Sequence, residues 1–204
     1  MQPYPKEYFR RYDESDDSLF YQVPRKVVHI DDRAILLLKA YYAAVLPRGG
    51  VLLDLMSSWR SHYPDDLAPK RVYAQGMNAE EMADNPQINE YIVQNLNRNQ
   101  SLPYESNFFD GATCAVSVQY LIKPVEVFRE VNRVLKPGAP FVVSFSNRCF
   151  PTKAVAAWLN MSDMQHVALV VDYFQRAGGY TDITTDLHTA RGHDPLFIVT
   201  GRKG

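Results

Sequence analysis

The chain has 204 residues, 46% of them hydrophobic and 22% charged, enough for one cored unit of ordinary size, with no second block of composition to argue for two. Lys and Arg total 22 against 23 acids, so the net charge of −1 supplies no broad pull toward nucleic acid or an anionic membrane, and a small-molecule partner fits better. Cys114 and Cys149 sit in apolar stretches as reduced thiols do, the N-terminus lacks a signal-peptide core, and no stretch approaches the ~20 apolar residues that span a bilayer. The expectation is a soluble, cytoplasmic protein without disulfides.

Residues 1–30 mix aromatics (Tyr4, Tyr8, Phe9, Tyr12, Phe20, Tyr21) with charges of both signs and read as an ordered cap, leaving 31–204 as the one domain. Asp31 caps a helix carrying Ile35, Leu38, Tyr42 and Val45 at helical spacing, which Pro47–Gly50 ends. Val51–Leu55 is a short apolar strand of the buried-sheet type, with Asp54 its only charge. Further strands are expected at Arg71–Gln75, Glu90–Leu96, Ala112–Val118 and Ala139–Ser146, with helices between most of them, notably Ala79–Asn85 and Pro124–Leu135. Pro124 suits the first turn of the latter, and Lys136-Pro137-Gly138 stops it. Ser162 and Gln165 form a capping-box pattern for a helix running to Ala177, before Gly178-Gly179, and strands near Tyr180–Leu187 and Leu196–Gly201 close the chain. The alternation argues for an α/β fold around a parallel sheet.

The five histidines (His29, His62, His166, His188, His193) are scattered and no Cys-x-x-Cys pair occurs, so no metal site is expected. Neither a Walker loop nor a dinucleotide glycine fingerprint is present.

Three segments, Leu102-Pro103-Tyr104, Phe109-Asp110 and Arg133-Val-Leu-Lys-Pro-Gly138, resemble in order and spacing the type 11 branch of class I S-adenosylmethionine-dependent methyltransferases, and the likeness extends more weakly over about residues 25 to 203. The resemblance implies a Rossmann-like seven-stranded sheet in the order 3-2-1-4-5-7-6, the last strand antiparallel, with helices on both faces. It also implies S-adenosyl-L-methionine as cofactor, bound beyond the carboxyl ends of strands one, two and four.

The family's acid-x-Gly-x-Gly-x-Gly loop reads Asp54-Leu-Met56-Ser57-Ser58-Trp59-Arg60 here, so Met56, Ser58 and Arg60 stand where glycines would. A Ser-Ser-Trp-x-Ser-His stretch after the aspartate resembles a subgroup of such proteins, and Ser57 and Ser58 offer hydroxyls for the cofactor's amino and carboxylate groups. Gly76-Met77-Asn78 replaces the usual ribose acid: Asn78 suits a ribose or a helix cap, and Met77 suits adenine. Asn95-Leu96 aligns with the Asp-Ala pair near adenine, and Ser117 ends strand four. Asp54, Met56, Ser57, Ser58, Gly76, Met77, Asn78, Asn95, Leu96 and Ser117 are therefore the cofactor candidates, with Asp54 alternatively a structural acid.

Gln119 and Tyr120 face the expected methyl donor or merely pack. His62 lies in a surface turn or contacts substrate. Arg148 holds an acidic substrate group or is solvated, and Tyr21, Arg25 and His29 form a lid or a plain aromatic strap. These seven are the substrate candidates. Methyl transfer needs positioning more than a fixed triad, so no catalytic residue is assigned. The readings that stand are an S-adenosylmethionine-dependent methyltransferase acting on a small molecule and a catalytically inactive methyltransferase-like binding domain; oligomeric state is not legible.

Overall fold

The computed structural model describes residues 3–204. Seven strands, β1 (Val51–Ser57), β2 (Arg71–Gly76), β3 (Glu90–Val93), β4 (Gly111–Ala115), β5 (Pro140–Phe145), β6 (Tyr180–His188) and β7 (Leu196–Lys203), form one sheet in the order β3-β2-β1-β4-β5-β7-β6. The pairs of β1 with β2 and β4, of β2 with β3 and of β4 with β5 are parallel, whereas β7 runs antiparallel to both its neighbours. Strand order and orientation agree with the expected Rossmann-like sheet.

Two-residue alternation sends side chains of the central strands into separate cores. Leu53, Leu55, Phe141, Val143, Phe197 and Val199 meet the helices α4 (Pro124–Val134) and α6 (Asp163–Ala177) on one face. Leu52, Val142, Leu196 and Ile198 meet α2 (Asp32–Val45) on the other. The caps are those expected: the Asp31 carboxylate accepts from Ala34 N at 2.8 Å, Pro124 opens α4, and Gln165 Oε1 accepts from Ser162 N at 2.9 Å. The short helices α1 (Asp17–Phe20), α3 (Ala79–Ala83) and α5 (Ala156–Asn160) complete the fold.

Two expected features differ. β4 stops at Ala115, short of Val118, because Val116 turns to φ +45° and the chain then enters a 3₁₀ turn at Val118–Tyr120. β3 likewise ends at Val93 and not Leu96. The connections 58–70 and 94–110 contain no α-helix, so the parallel crossovers β1–β2 and β3–β4 are made by coil, with one 3₁₀ turn at Asp65–Leu67. Among the described residues no helix is long and apolar enough to cross a membrane.

Gly76 ends β2 against β1 with no room for a side chain: a Cβ there would stand 2.4 Å from Ser57 O and 2.8 Å from Met82 Sδ. Gly76→Ala is expected to lower the unfolding free energy by about 1–3 kcal/mol, read by urea denaturation, because backbone of the adjoining strand must move. An unchanged midpoint would show that the strand ends yield freely.

Candidate active site

At the carboxyl edge of the sheet, β1 leaves its register. Met56 is the extra residue between Leu55 and Ser57 in the pairing with β2, and its φ of +53° is the backbone state that glycine adopts at no cost. Its N–H donates to Gln75 Oε1 at 3.1 Å, and Gln75 Nε2 donates to Gln94 O at 2.7 Å, so one buried amide ties together the ends of β1, β2 and β3.

Asp54 lies beneath this bulge and off the cavity wall. Ser57 Oγ and Ser61 Oγ each donate to its Oδ2 at 2.6 Å, and Thr113 Oγ1 donates to Oδ1 at 3.3 Å. Burial raises the Asp54 pKa, and the three hydroxyls oppose that shift. The loop 57–61 is thus folded back onto a carboxylate, where Asn85 Nδ2 also holds Ser58 O at 3.0 Å and Ser61 Oγ at 2.9 Å.

Across the β2 end, Asn78 Oδ1 accepts from Glu81 N at 3.0 Å as the cap of α3, while its Nδ2 donates to Tyr21 O at 2.9 Å in the N-terminal strap. The buried Glu81 carboxylate accepts from Ser58 Oγ and from the backbone N of Arg25, both at 2.6 Å. Residue for residue, the segment after β2 holds the loop with one carboxylate oxygen and the strap with the other.

The strap, 10–29, crosses above the strand ends. Its first part is fixed by a charge cluster: Arg11 Nη1 to Asp17 Oδ1 at 2.6 Å, Lys153 Nζ to Asp13 Oδ2 at 2.9 Å and to Asp17 Oδ1 at 3.4 Å, and Asn97 Nδ2 to Asp17 Oδ2 at 3.0 Å. Lys153 is 0% exposed and Asp17 5%, so this pairing is desolvated. Its second part carries the rings Phe20 and Tyr21 and then Arg25. Phe20 meets Phe150 edge to face, Tyr120 stacks on Phe150 at 5.9 Å, and Tyr120 Oη accepts from Phe150 N at 2.9 Å.

Strap and strand ends enclose a cavity of about 300 Å³, at the small end of the range for ligand sites. It brings together most of the residues expected from sequence: Met56, Ser57, Ser58, Met77, Asn78, Asn95, Leu96 and Ser117 of the cofactor candidates, and Tyr21, Arg25, His29, Tyr120 and Arg148 of the substrate candidates. Asp54, Gly76, His62 and Gln119 stand off the wall: Asp54 is wrapped by hydroxyls, Gly76 is packed on β1, and Gln119 Nε2 donates to Val116 O at 2.8 Å. Arg11, Asp17, Gln75, Glu81, Gln94, Asn97 and Lys153 also line it and had no signal in the sequence beyond their polarity. Burial pushes up the pKa of the Cys149 thiol on the wall, and that of Cys114 beneath it to about 12.

The wall carries thioether and aliphatic surface from Met56, Met77 and Leu96 and the polar groups of Asn78, Asn95, Ser57 and Ser117, of which the Ser57 hydroxyl is given to Asp54, the Ser117 hydroxyl to Ala115 O and the Asn78 amide to Glu81 N and Tyr21 O.

The methyltransferase domain family model matches residues 48–143, the stretch that runs from β1 to β5. Over that stretch, a little under half of the chain, the sequence is similar to methyltransferase domains. A curated relative, the biotin biosynthesis bifunctional protein BioHC of Teredinibacter turnerae, is 31% identical over 133 residues, 58% of this chain and 23% of that protein, so the chain spans about a quarter of the relative's length. Among solved structures, a chain of the complex between the Haloferax volcanii Trm112 methyltransferase activator and a methyltransferase superposes with a TM-score of 0.61 at 14% identity, covering 84% of this chain and 91% of that one. The S-adenosylmethionine-dependent methyltransferase of Mesorhizobium loti gives 0.57 at 18% identity over 80% and 96%, and the [4+2]-cyclase SpnF gives 0.59 at 15% over 83% and 81%. At these identities the structural likenesses establish the fold alone.

The charges around the cavity have consequences that stability measurements can read. Lys153→Met leaves Asp17 buried beside Asp13 with one cation fewer, and is expected to cost about 3 kcal/mol in thermal unfolding and to speed amide exchange over residues 13–21. A loss under about 0.5 kcal/mol would show that Arg11 and Asn97 suffice for Asp17. His62, buried at φ +61°, has its pKa lowered to about 4, first by burial and then by Lys39, His29 and Arg60. Between pH 6.5 and about 4 the unfolded chain binds a proton that the folded one does not, so this contribution to stability is full above 6.5 and fades as pH falls. His62→Asn, which tolerates the left-handed backbone, is expected to flatten the stability profile over that window by roughly 1–3 kcal/mol; an unchanged slope would remove His62 as its cause.

Proposed function

We propose that the chain is an S-adenosylmethionine-dependent methyltransferase acting on a small molecule held under the strap. The observation that carries this reading is the cavity itself, placed at the carboxyl ends of β1, β2 and β4, where an open α/β sheet changes direction and such folds bind ligands.

The cofactor supplies an electrophilic methyl group when bound. In this division of the cavity, Ser57–Ser58, Met77–Asn78 and Asn95–Leu96 hold it, with Met56 narrowing its space, and the strap with the loop after β5 holds the acceptor. Tyr120 and Phe150, stacked and joined by a hydrogen bond, form a fixed wall that keeps a planar acceptor in place. The strap excludes water. His29 on the wall has its pKa lowered by burial, so at neutral pH its imidazole is uncharged and able to accept a proton from an acceptor hydroxyl.

A second reading, a methyltransferase-like domain that binds without catalysis, is favoured by the loop after β1. There the Ser57 and Ser58 hydroxyls already serve Asp54 and Glu81, no helix N-terminus follows, and Met56 occupies the first glycine position. The structural neighbour SpnF is a [4+2]-cyclase, so a fold of this shape is not tied to methyl transfer.

Titration calorimetry with S-adenosylhomocysteine tests the cofactor half, and radiolabelled methyl transfer to acceptor pools separates the two readings. Binding at micromolar to millimolar ligand is expected, and no heat at millimolar concentration would overturn the proposal. Met56→Gly, which relieves a left-handed methionine and opens the wall, is expected to tighten binding roughly threefold to tenfold. Weaker binding in that variant would instead make the Met56 side chain a contact of the cofactor.

A further inference from the structure

Four cationic side chains line the cavity, and three have an acidic partner. Arg11 pairs with Asp17, Lys153 with Asp13 and Asp17, and Arg148 with Asp194 at 3.2 Å. Arg25 is the exception among the described residues. Its guanidinium lies over the Phe20 ring at 4.3 Å from the centroid and 5.5 Å from that of Phe150, and its hydrogen-bond acceptor is one backbone carbonyl, Val23 O, at 3.3 Å. The nearby Glu81 carboxylate accepts from the backbone N of Arg25, with its other oxygen taken by Ser58.

A guanidinium stacked on an aromatic face keeps its N–H edge for a partner lying in its own plane, and that edge matches the fork of a carboxylate. The surroundings fit a flat ring: Phe150 and Tyr120 are stacked with 26° between their planes, and His29 meets Phe150 edge to face at 5.5 Å. A partly screened cation with unsatisfied donors, set beside aromatic walls, draws an anion that is itself planar and apolar over most of its surface.

We propose that Arg25 is the carboxylate anchor of the site and that the acceptor is a flat aromatic acid, its carboxylate forked by Arg25 and its ring laid against Phe150 and Tyr120. This deepens the methyltransferase reading and rests on it for the word acceptor alone. The same edge could be matched by the carboxylate of the cofactor's amino-acid tail, so the test separates the two sources.

The full chain is titrated by calorimetry with benzoate, 1-naphthoate and the neutral isostere benzamide, each with and without S-adenosylhomocysteine. In the unaltered protein the acids are expected to bind at least roughly tenfold tighter than the amide, the range for a hydrogen-bonded charge. Arg25→Gln is expected to erase that preference while leaving S-adenosylhomocysteine affinity within about twofold, and Arg25→Lys, which keeps the charge and loses the fork, to restore only part of it. Equal affinity for acid and amide in the unaltered protein, or no binding of either acid, would overturn the anchor without any variant. A parallel loss of S-adenosylhomocysteine binding in Arg25→Gln would overturn it by assigning the residue to the cofactor tail. If S-adenosylhomocysteine does not bind at all while the acids bind through Arg25, the anchor stands and the methyl-transfer reading fails.

Discussion

A carboxylate cannot be left bare in the middle of a parallel sheet, and Asp54 sits there, fully buried at the end of β1. Ser57, Ser61 and Thr113 supply the hydroxyls that satisfy it. Ser57 closes the strand and Ser61 follows four residues on, so satisfying Asp54 draws the chain into a tight return where a helix would otherwise start. The bulge at Met56 belongs to the same turn: the backbone must enter the left-handed region to bring Ser57 back over the carboxylate. Ser58 is then delivered to Glu81, and through Glu81 the loop is joined to the strap. The shape of the cavity descends from that one buried charge.

Strain is concentrated on the same wall. Met56 and Val116, both non-glycine residues at positive φ, face each other across the β1 and β4 ends and both line the cavity. A β-branched residue in this conformation costs on the order of 1–2 kcal/mol, and it persists because the surrounding hydrogen bonds over-determine it, Val116 N donating to Ser144 O at 2.8 Å and Met56 N to Gln75. Backbone held this way cannot relax on ligand binding, which suits a site that works by position.

Much of the fold was legible because its signals are local. Apolar strand runs, the Asp31 cap, Pro124 at the start of a helix and the Lys136-Pro137-Gly138 stop each act within a few residues, while strand order was implied by the family resemblance alone. Where the site failed to be legible, the partners are far apart in sequence. Asp17 and Lys153 are 136 positions apart, and neither stands out until the strap folds over. Glu81 reads as an ordinary surface residue in the first turn of α3, since only the tertiary structure turns it inward. Asp54 was found for a sound reason, a charge in an apolar strand, yet its work is to organise the loop from behind. The two helices named from sequence, 79–85 and 124–135, are present, while the 58–70 and 94–110 crossovers, for which no helix was named, run as coil.

The strap's two ends are held by interactions of different strength, and this sets which end can move. At Asp17 the pairs with Lys153 and Arg11 are desolvated, so separating one partner leaves a buried charge and costs several kcal/mol, while Asp13 adds a half-exposed pair. At Tyr21–Arg25 they are hydrogen bonds from Asn78 and to Glu81, each worth about 1 kcal/mol net, or somewhat more where the carboxylate is charged. A cavity of about 300 Å³ is small for one ligand of nucleoside size and smaller still for two. The second end adds the exposed pairs of Lys26 with Glu80 at 2.8 Å and with Asp84 at 2.5 Å, which are worth little. Arg25 belongs to this more weakly held part. An anion bound to its guanidinium adds a contact that exists only when the strap is down, so ligand charge and strap position favour one another by the differential binding that any such coupling requires.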